Sequence, residues 1–288
     1  MELVTVIVPT KNRLAVLKRA IESVKKQTWE NIEIIIIDEA STDGTKDYLS
    51  ALQQTDSCVK VIFNTHSIGA AQARNLGIDL AQAEFIAFID DDDEWVPEKI
   101  KKQIDFLNLN KEYVAVTSDF LIVHDKGKLG TKTKHIPLAI DNQELLCYNF
   151  LGGASMCLAR TSALKQIEGF NPLLPSCQDW DLWLKLFLIG KIGILNEPLV
   201  RYYSHNEDRI SSKLINVYEG RKSIYFLYRS LMTAHTVKRN ISGVFFIKIL
   251  MRKDGFLKKM SRLRPVFKYT SFRLLLSYTR LLFLSAGK

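Results

Sequence analysis

The stretch EFIAFIDDDDEW, from Glu84 to Trp95, joins an apolar segment to four consecutive aspartates and a glutamate. The segment Glu84 to Ile89 has the length and composition of a buried strand. Alternate side chains of a strand face the same way, so we expect Asp90 and Asp92 to point to one side at the strand's end. Two such close carboxylates repel unless a cation or a proton lies between them, and magnesium or manganese meets that need while also binding phosphate oxygens.

A second interpretation applies to the remaining acids of this stretch. Asp93 and Glu94 precede a predicted helix whose first turn carries Pro97 and Glu98, where acids suit the helix dipole. We therefore expect Asp93 and Glu94 to lie in a solvated turn. The same explanation does not cover Asp90 and Asp92, because four acids exceed what a helix start requires.

Strand and helix patterns alternate on both sides of this stretch. The predicted strands are Leu3 to Pro9, Ile32 to Ile37, Val59 to Phe63 and Glu84 to Ile89, and the helices that follow them are Arg13 to Gln27, Thr42 to Gln53, Gly69 to Ala81 and Pro97 to Leu109. Short, predominantly apolar strands that alternate with helices predict an α/β fold with a mostly parallel sheet covered on both faces. Ligands bind outside the carboxyl ends of such strands, where Thr10 to Arg13, Asp38 to Asp43 and Asp90 to Asp93 converge.

The chain has 288 residues and a formal net charge of +9, and this charge is concentrated at one end. Residues 238–288 carry a net charge of +12, so residues 1–237 sum to −3. The four cysteines form no CxxC pair, which argues against a zinc site and favours a reduced cytosolic setting. MELVTVIVPT reads as a strand rather than a signal peptide, and no charge-free run is long enough to predict a spanning helix.

The pattern becomes less regular after a predicted strand near Tyr113 to Val123. The stretch DKGKLGTKTKH, Asp125 to His135, has no apolar periodicity and is typical of a mobile loop. One helix is predicted to start near Gln178 to Asp179. A second, longer helix is predicted near Leu214 to Met232. The predicted organisation is a domain over residues 1–210, divided into a nucleotide-sugar half (1–123) and an acceptor half (124–210), followed by a basic helical extension over residues 211–288.

Five motifs in this order and spacing resemble the large inverting family-two glycosyltransferases of the GT-A fold. They are PTKNR (Pro9 to Arg13), IIIIDEASTDGT (Ile34 to Thr45), GAAQARNLGI (Gly69 to Ile78), FIDDDDEWVPEKI (Phe88 to Ile100) and QDWDLWLKL (Gln178 to Leu186). Each motif alone is weak, but five in register are specific. The resemblance covers residues 3 to 205 and implies a GT-A (Rossmann-like) fold.

The resemblance implies a site for a nucleotide-sugar and a divalent cation, Mn²⁺ or Mg²⁺. The residues it implies for the nucleotide-sugar are Pro9, Thr10, Lys11, Arg13, Asp38, Arg74, Asp90 and Asp91. Asp38 would bind uracil or its ribose, Asp90 would lie near the ribose, and Asp92 would ligate the metal with Asp90. Arg74 either touches phosphate or pairs with Asp38 or its neighbours.

The resemblance also implies that Asp179 is the catalytic base. A carboxylate within hydrogen-bond reach can take the proton of an acceptor hydroxyl. The alternative for Asp179 is a helix-start acid that the dipole favours. Two residues depart from the family pattern: Gln178 replaces the usual glutamate of the E-D pair, and Glu39 replaces a second aspartate.

Three further residues are implied near the acceptor, and one near the metal. Gly153 lies where the family's backbone approaches the sugars, and Gln178 and Trp180 flank the base. Trp180 either stacks on an acceptor ring or packs in the core. His205 matches a histidine that can approach the metal or the diphosphate, although a lone histidine is more often structural.

The basic extension predicts an anionic partner. From Ile241 onward apolar residues are interspersed with Lys and Arg, a pattern typical of segments that lie in an anionic membrane surface. Nucleic acid is disfavoured because no nucleic-acid fold is recognisable and residues 1–237 are net acidic. By family analogy we expect a peripheral enzyme at the cytoplasmic face of the plasma membrane.

The predicted activity is inverting, metal-dependent transfer of a sugar from a UDP-hexose, such as UDP-glucose or UDP-galactose. The acceptor would be a lipid-linked glycan of O-antigen or capsule biosynthesis. The alternatives are a sugar-phosphate nucleotidyltransferase, which usually opens with a Gly-rich basic loop unlike PTKNR, and a non-catalytic membrane adaptor of the same fold.

Overall fold

A computed structural model describes residues 1–124, 128–132, 140–203 and 213–251. The strands in these ranges are β1 (Val4–Thr10), β2 (Ile32–Asp38), β3 (Val59–Phe63), β4 (Phe85–Phe88), β5 (Glu94–Trp95), β6 (Tyr113–His124), β7 (Lys128–Lys132), β8 (Leu158–Arg160) and β9 (Lys191–Tyr203). The helices are α1 (Leu14–Lys25), α2 (Thr45–Thr55), α3 (Ala70–Leu80), α4 (Lys99–Leu109), α5 (Asn142–Leu145), α6 (Thr161–Gln166), α7 (Gln178–Ile189), α8 (Leu214–Tyr228) and α9 (Ala234–Leu250).

All nine strands belong to one sheet, in the order β3-β2-β1-β4-β8-β6-β9-β5, with β7 paired to β6. Strands β3, β2, β1 and β4 are mutually parallel. Strand β8 runs antiparallel to β4 and β6, while β6 and β9 are parallel. The predicted α/β fold with a mostly parallel sheet is confirmed.

The strand cores are apolar on both faces because helices cover both sides of the sheet. All seven residues of β1 are buried, as are the last five of β2. Helix α1 buries Leu17, Ile21 and Val24, the face that its apolar spacing predicts. Helix α3 lies so close to β1 that a Cβ at Gly77 would come within 2.6 Å of Ile7, so only glycine fits there.

Some element boundaries differ from the predicted ones. Part of the stretch predicted as a loop, Lys128–Lys132, forms strand β7 against β6, although residues 125–127 and 133–139 lie outside the described residues. Helix α4 begins at Lys99 rather than Pro97, so no acid lies in its first turn. The helix predicted from Leu214 to Met232 ends at Tyr228, and α9 begins at Ala234.

The described chain divides into two compact units. The first contains the sheet and takes in residues 149–172 and 179–203 as well as the amino-terminal part; the second takes in 141–148, 173–178 and 213–251. In the second unit α8 and α9 enclose a core of Phe246, Ile247, Ile249 and Leu250. No helix among the described residues combines the length and the hydropathy that crossing a membrane requires.

Candidate active site

The carboxyl ends of β1 and β2 lie side by side at one edge of the sheet. Thr10 and Asp38 are the last residues of these parallel strands, and they are partners in the register. Strand β4, which also pairs with β1, ends at Phe88, and the four aspartates follow two residues later. The Thr10 hydroxyl donates a hydrogen bond to Asp91 Oδ2 at 2.8 Å. The polar clusters after β1 and β4 therefore meet directly at this edge, as the sequence predicts.

The aspartates form a turn and not the end of a strand. The backbone N–H of Asp93 donates to the carbonyl of Asp90 at 3.0 Å. Oxygens of Asp90, Asp92 and Asp93 lie within 4.8 Å of one another. The expectation that Asp90 and Asp92 share a side through strand alternation is therefore wrong, and the turn brings them together instead.

The predicted solvated turn at Asp93 and Glu94 is also wrong. Asp93 is 1% exposed and its Oδ2 accepts a 2.5 Å hydrogen bond from the Ser155 hydroxyl. Glu94 belongs to strand β5, forms an ion pair with Arg201 and accepts from the Tyr203 hydroxyl at 2.7 Å. Both acids are held by residues distant in the chain, and this pairing replaces solvation.

Asp91 is not part of the three-carboxylate cluster and is held by Arg13 and by the Thr10 hydroxyl. Its carboxylate pairs with Arg13 at 3.2 Å, and Arg13 also reaches Asp92 Oδ2 at 2.9 Å. Burial raises the pKa of Asp91 to about 6, and Arg13 and the Thr10 hydroxyl offset part of that rise. Arg13 is thus an internal counter-ion for two adjacent aspartates.

Two residues that the sequence analysis missed hold the aspartate turn in place. Arg19 on α1 donates to the carbonyl of Asp92 at 2.7 Å and stacks on the Tyr203 ring, 3.5 Å from its centroid. The Ser155 hydroxyl accepts from the backbone N–H of Asp90 at 3.0 Å. No local pattern marks either residue, because their partners lie at least 60 positions away in the chain.

Arg74 on α3 pairs with Asp90. The alternative partner Asp38 is not observed, whereas the pairing with an acid of the turn places Arg74 within the site. Arg74 is 7% exposed, and its guanidinium lies 5.2 Å from the centroid of the Phe170 ring. Arg74 is therefore a buried cation held next to the aspartate turn.

Asp179 lies in the first turn of α7 and interacts with the same charges. The residue is only partly exposed to solvent. This burial raises the pKa of Asp179 to about 6; the positive charge of Arg74 and a hydrogen bond from the Ala154 backbone lower it, while the charge of Asp90 raises it further. A Cβ on Gly153 would lie 3.6 Å from Asp179 Oδ2, so Gly153 lines this carboxylate.

Asp38 is 1% exposed and has one unsatisfied oxygen. Its Oδ2 accepts from the Ser41 backbone at 3.3 Å, while Oδ1 has no hydrogen-bond partner among the described residues. The neighbouring Glu39 instead accepts from the Ser67 hydroxyl at 2.6 Å and the Gly69 backbone at 2.7 Å. Glu39 therefore fixes the start of α3, and Asp38 retains capacity for a ligand donor.

The remaining predicted site residues differ in accessibility. Pro9 is buried in β1, Lys11 is exposed, and Gln178 donates to the Leu174 carbonyl at 2.9 Å. Trp180 is 3% exposed, which favours the packing alternative over stacking on an acceptor ring. His205 lies outside the described residues.

The carboxylate cluster fits a hard divalent cation. Such a cation takes several oxygen ligands, and magnesium and manganese need only one or two protein carboxylates when phosphate completes the shell. Asp90, Asp92 and Asp93 offer three oxygens within 4.8 Å of one another. Asp93, which the sequence analysis assigned to a turn, thus joins the two predicted ligands.

Comparisons with known proteins identify bacterial glycosyltransferases as relatives of this chain. Over 252 residues the chain is 30% identical to the putative teichuronic acid biosynthesis glycosyltransferase TuaG of Bacillus subtilis, covering 87% of this chain and 97% of that protein. Over 203 residues it is 34% identical to the Escherichia coli UDP-Glc:alpha-D-GlcNAc-diphosphoundecaprenol beta-1,3-glucosyltransferase WfaP, covering 70% of this chain and 77% of that protein.

The fold matches a solved glycosyltransferase structure. S. aureus TarS 1–349 in complex with UDP-GlcNAc superposes with a TM-score of 0.64 at 20% identity, covering 92% of this chain and 71% of that chain. The expected GT-A architecture is therefore confirmed. The model of the family described as Glycosyl transferase family 2 matches residues 5–167. The chain belongs to glycosyl transferase family 2 and is a glycosyltransferase.

Proposed function

We propose that the protein transfers a hexose from a UDP-sugar, such as UDP-glucose or UDP-galactose, to a hydroxyl of a lipid-linked glycan, with inversion at the anomeric carbon. The observation that carries this proposal is that a cluster of three carboxylates and a separate fourth carboxylate both interact with the same arginine. Asp90, Asp92 and Asp93 cluster as cation ligands do, while Asp179 is partly buried outside this cluster and interacts electrostatically with Arg74, the ion-pair partner of Asp90. Family membership favours this activity over nucleotidyl transfer and over a non-catalytic adaptor.

In the proposed reaction Asp179 removes the proton of the acceptor hydroxyl. The acceptor oxygen forms a bond to the anomeric carbon, and the bond from that carbon to the diphosphate oxygen breaks with its electron pair leaving on UDP. A single displacement of this kind inverts the anomeric centre. A base with a pKa of about 6 is ionised at neutral pH yet more basic than an ordinary aspartate, which suits this role.

The leaving diphosphate requires positive charge. A divalent cation held by Asp90, Asp92 and Asp93 would neutralise the charge that develops on it. Among the chain's own residues, Arg13 lies at the same edge and is partly exposed, but Asp91 and Asp92 already balance its charge, so the divalent cation would supply most of the positive charge. Asp38, with its unsatisfied oxygen, would accept hydrogen bonds from uracil or ribose.

The proposed acceptor and location derive from the relatives and from charge. WfaP is described as acting on a diphosphoundecaprenol-linked sugar, and TuaG as acting in teichuronic acid biosynthesis. A lipid-linked acceptor in O-antigen, capsule or related polysaccharide assembly requires an enzyme at the membrane surface. The net charge of +12 over residues 238–288 supports peripheral attachment to the inner face of the plasma membrane.

The proposed donor and stereochemistry are tested together. The protein is incubated with Mn²⁺ and a panel of UDP-, GDP- and dTDP-hexoses, with a soluble analogue of a GlcNAc-diphospholipid as acceptor. We expect turnover with a UDP-hexose and, by NMR, a β-linked product from the α-linked donor. Retention of the donor's configuration would overturn the inverting assignment, and turnover restricted to GDP- or dTDP-sugars would overturn the donor assignment.

A further inference from the structure

Helix α9 carries an exposed stripe in which basic and large apolar side chains are interleaved. The stripe consists of Lys238, Ile241, Phe245 and Lys248, which follow one another at intervals of three and four residues and therefore share one face of the helix. Ile241 is 51% exposed and Phe245 is 47% exposed, and both lysines are exposed as well. We propose that this stripe docks on an anionic lipid surface.

The stripe does not contribute to the core of the second unit, because a different face of α9 packs into that core. Phe246, Ile247, Ile249 and Leu250 form its core with partly buried residues of α8. The Asn240 side chain donates to the Leu146 carbonyl at 3.0 Å and fixes the helix further. The exposure of Ile241 and Phe245 to water is unfavourable, and their contacts within the unit do not remove it. Exposed apolar side chains of this kind are typical of an interaction surface.

The charges on α9 select an anionic partner. The helix carries Lys238, Arg239 and Lys248 and no acidic residue. Nucleic acid would pair with these cations, but its phosphate backbone offers nothing to Ile241 and Phe245 in the middle of the stripe. A membrane of anionic lipids accepts both parts, since headgroups bind the lysines while the apolar side chains enter the boundary of the acyl chains.

Helix α8 of the same unit repeats the pattern. Ile215, Lys222 and Phe226, with Arg229 directly after the helix, follow at intervals of seven, four and three residues, so they too lie along one face. Ile215 is 50% exposed and Phe226 is 56% exposed. Lys222 forms an ion pair with Glu219 of the same helix at 3.2 Å, so α8 contributes exposed apolar groups more than net charge. Large apolar side chains exposed on two helices of one unit exceed the single exposed residues that are common on protein surfaces.

This inference rests on the proposed function. It adds the surface that would hold the enzyme beside a lipid-linked acceptor. The test uses the full chain in flotation with vesicles of phosphatidylcholine alone or mixed with phosphatidylglycerol. Three double variants are compared with wild type: Ile241→Ser with Phe245→Ser, Lys238→Gln with Lys248→Gln, and the control Leu109→Ser with Leu188→Ser. The control leucines are 84% and 56% exposed and lie in the first unit.

We expect wild type and the control to bind the mixed vesicles equally. The apolar variant should bind at least about tenfold more weakly, because two large side chains no longer leave water. The lysine variant should lose about fivefold per lysine, and added salt should weaken wild type towards it. Melting temperatures close to wild type would show that all variants fold.

The inference would be overturned if the apolar variant floated with the vesicles to the same extent as wild type. It would also be overturned if wild type bound both vesicle types equally. A change in oligomeric state of the stripe variants on size exclusion would identify a second copy as the occupant and also overturn it. Hydrolysis of a UDP-sugar in solution is measured on the same proteins. Loss of flotation with retained hydrolysis supports lipid docking, whereas flotation by a wild type that never turns over any nucleotide-sugar would contradict the proposed function alone.

Discussion

At the scale of single residues, the electrostatics of the site depend on three interacting charges, those of Arg74, Asp90 and Asp179. Arg74 lies between two acids electrostatically: it pairs with Asp90 and lowers the pKa that burial gives Asp179. Under the proposed function, the clustered carboxylates would bind a cation and the partly buried Asp179 would accept a proton. Each role leads to a separate expectation.

Replacing Asp179→Asn should remove the base while preserving the shape of the site. The amide cannot accept the acceptor's proton, so we expect kcat to fall by about 100-fold or more. Donor affinity, measured by calorimetry with UDP and Mn²⁺, should stay near wild type because the amide has the size of the carboxyl group and would keep the packing around Gly153. Asp79→Asn, at an exposed acid on α3, is the matched control. Full turnover by the D179N variant would exclude Asp179 as the base.

The pH profile should report the pKa of Asp179. A base acts only when deprotonated, so kcat should fall about tenfold per unit as pH drops below about 6 and reach a plateau above it. Arg74 stabilises the charged form, so Arg74→Gln should raise the pKa of Asp179 and move the acid limb to higher pH. Rates measured from pH 5 to 9 give the limb and the plateau. An acid limb that stays in place in the R74Q variant would separate Arg74 from the base.

The sequence predicts the acids of the site better than their arrangement. Asp38, Asp90 and Asp92 are marked by position, because each follows an apolar strand at the edge where ligands bind. Asp93 and Ser155 are not, because their hydrogen bond joins residues 62 positions apart. Burial of Trp180 is likewise set by tertiary packing, since the spacing within QDWDLWLKL is compatible with either a rim or a core residue.

At the scale of elements, helix α4 shows how the support behind the aspartate turn is built. Lys99 begins the helix, is fully buried and donates to Gln103 Oε1 at 2.7 Å, and its Nζ lies 4.0 Å from the centroid of the Trp95 ring. Trp95 in turn donates to the Ser155 carbonyl at 3.0 Å. Burial lowers the pKa of Lys99 to about 7.

This buried lysine should make stability depend on pH. Between pH 7 and the ordinary lysine pKa the unfolded chain binds a proton that the folded chain does not, so the free energy of unfolding should rise with pH. Relative to Lys99→Met, which lacks the titrating group, wild type should gain about 1.4 kcal/mol per pH unit. Urea unfolding of both proteins from pH 7 to 8.5 measures the difference. Parallel pH profiles would show that Lys99 does not titrate there.

The elements of the amino-terminal part were predicted, whereas β9, at 13 residues the longest strand described, and the shortest strands were not. Strands β1 to β3 are recognisable as short apolar runs, and helices α1 to α3 show apolar residues at helical spacing. Strand β5 has two residues and β8 has three, which is too short for any period to appear. Strand β7, KLGTK, has no apolar alternation and exists through its pairing with β6.

At the scale of the whole molecule, binding of the donor and the cation should be linked to folding. A ligand that binds only the folded state stabilises it by about 2.7 kcal/mol at a concentration 100 times its dissociation constant. UDP and Mn²⁺ should each have little effect alone, because the cation needs phosphate oxygens to complete its shell and the diphosphate needs the cation beside Asp90, Asp92 and Asp93.

Together they should raise the melting temperature by about 5 °C or more. Asp92→Ala removes one ligand and should abolish most of this joint shift, while Asp105→Ala, at an exposed acid on α4, should keep it. Differential scanning calorimetry with UDP, with Mn²⁺, with both, and with both plus EDTA separates the terms. A shift from UDP that persists in EDTA would mean that Arg13 and Asp38 suffice for the nucleotide, and the carboxylate cluster would then lose its assigned role.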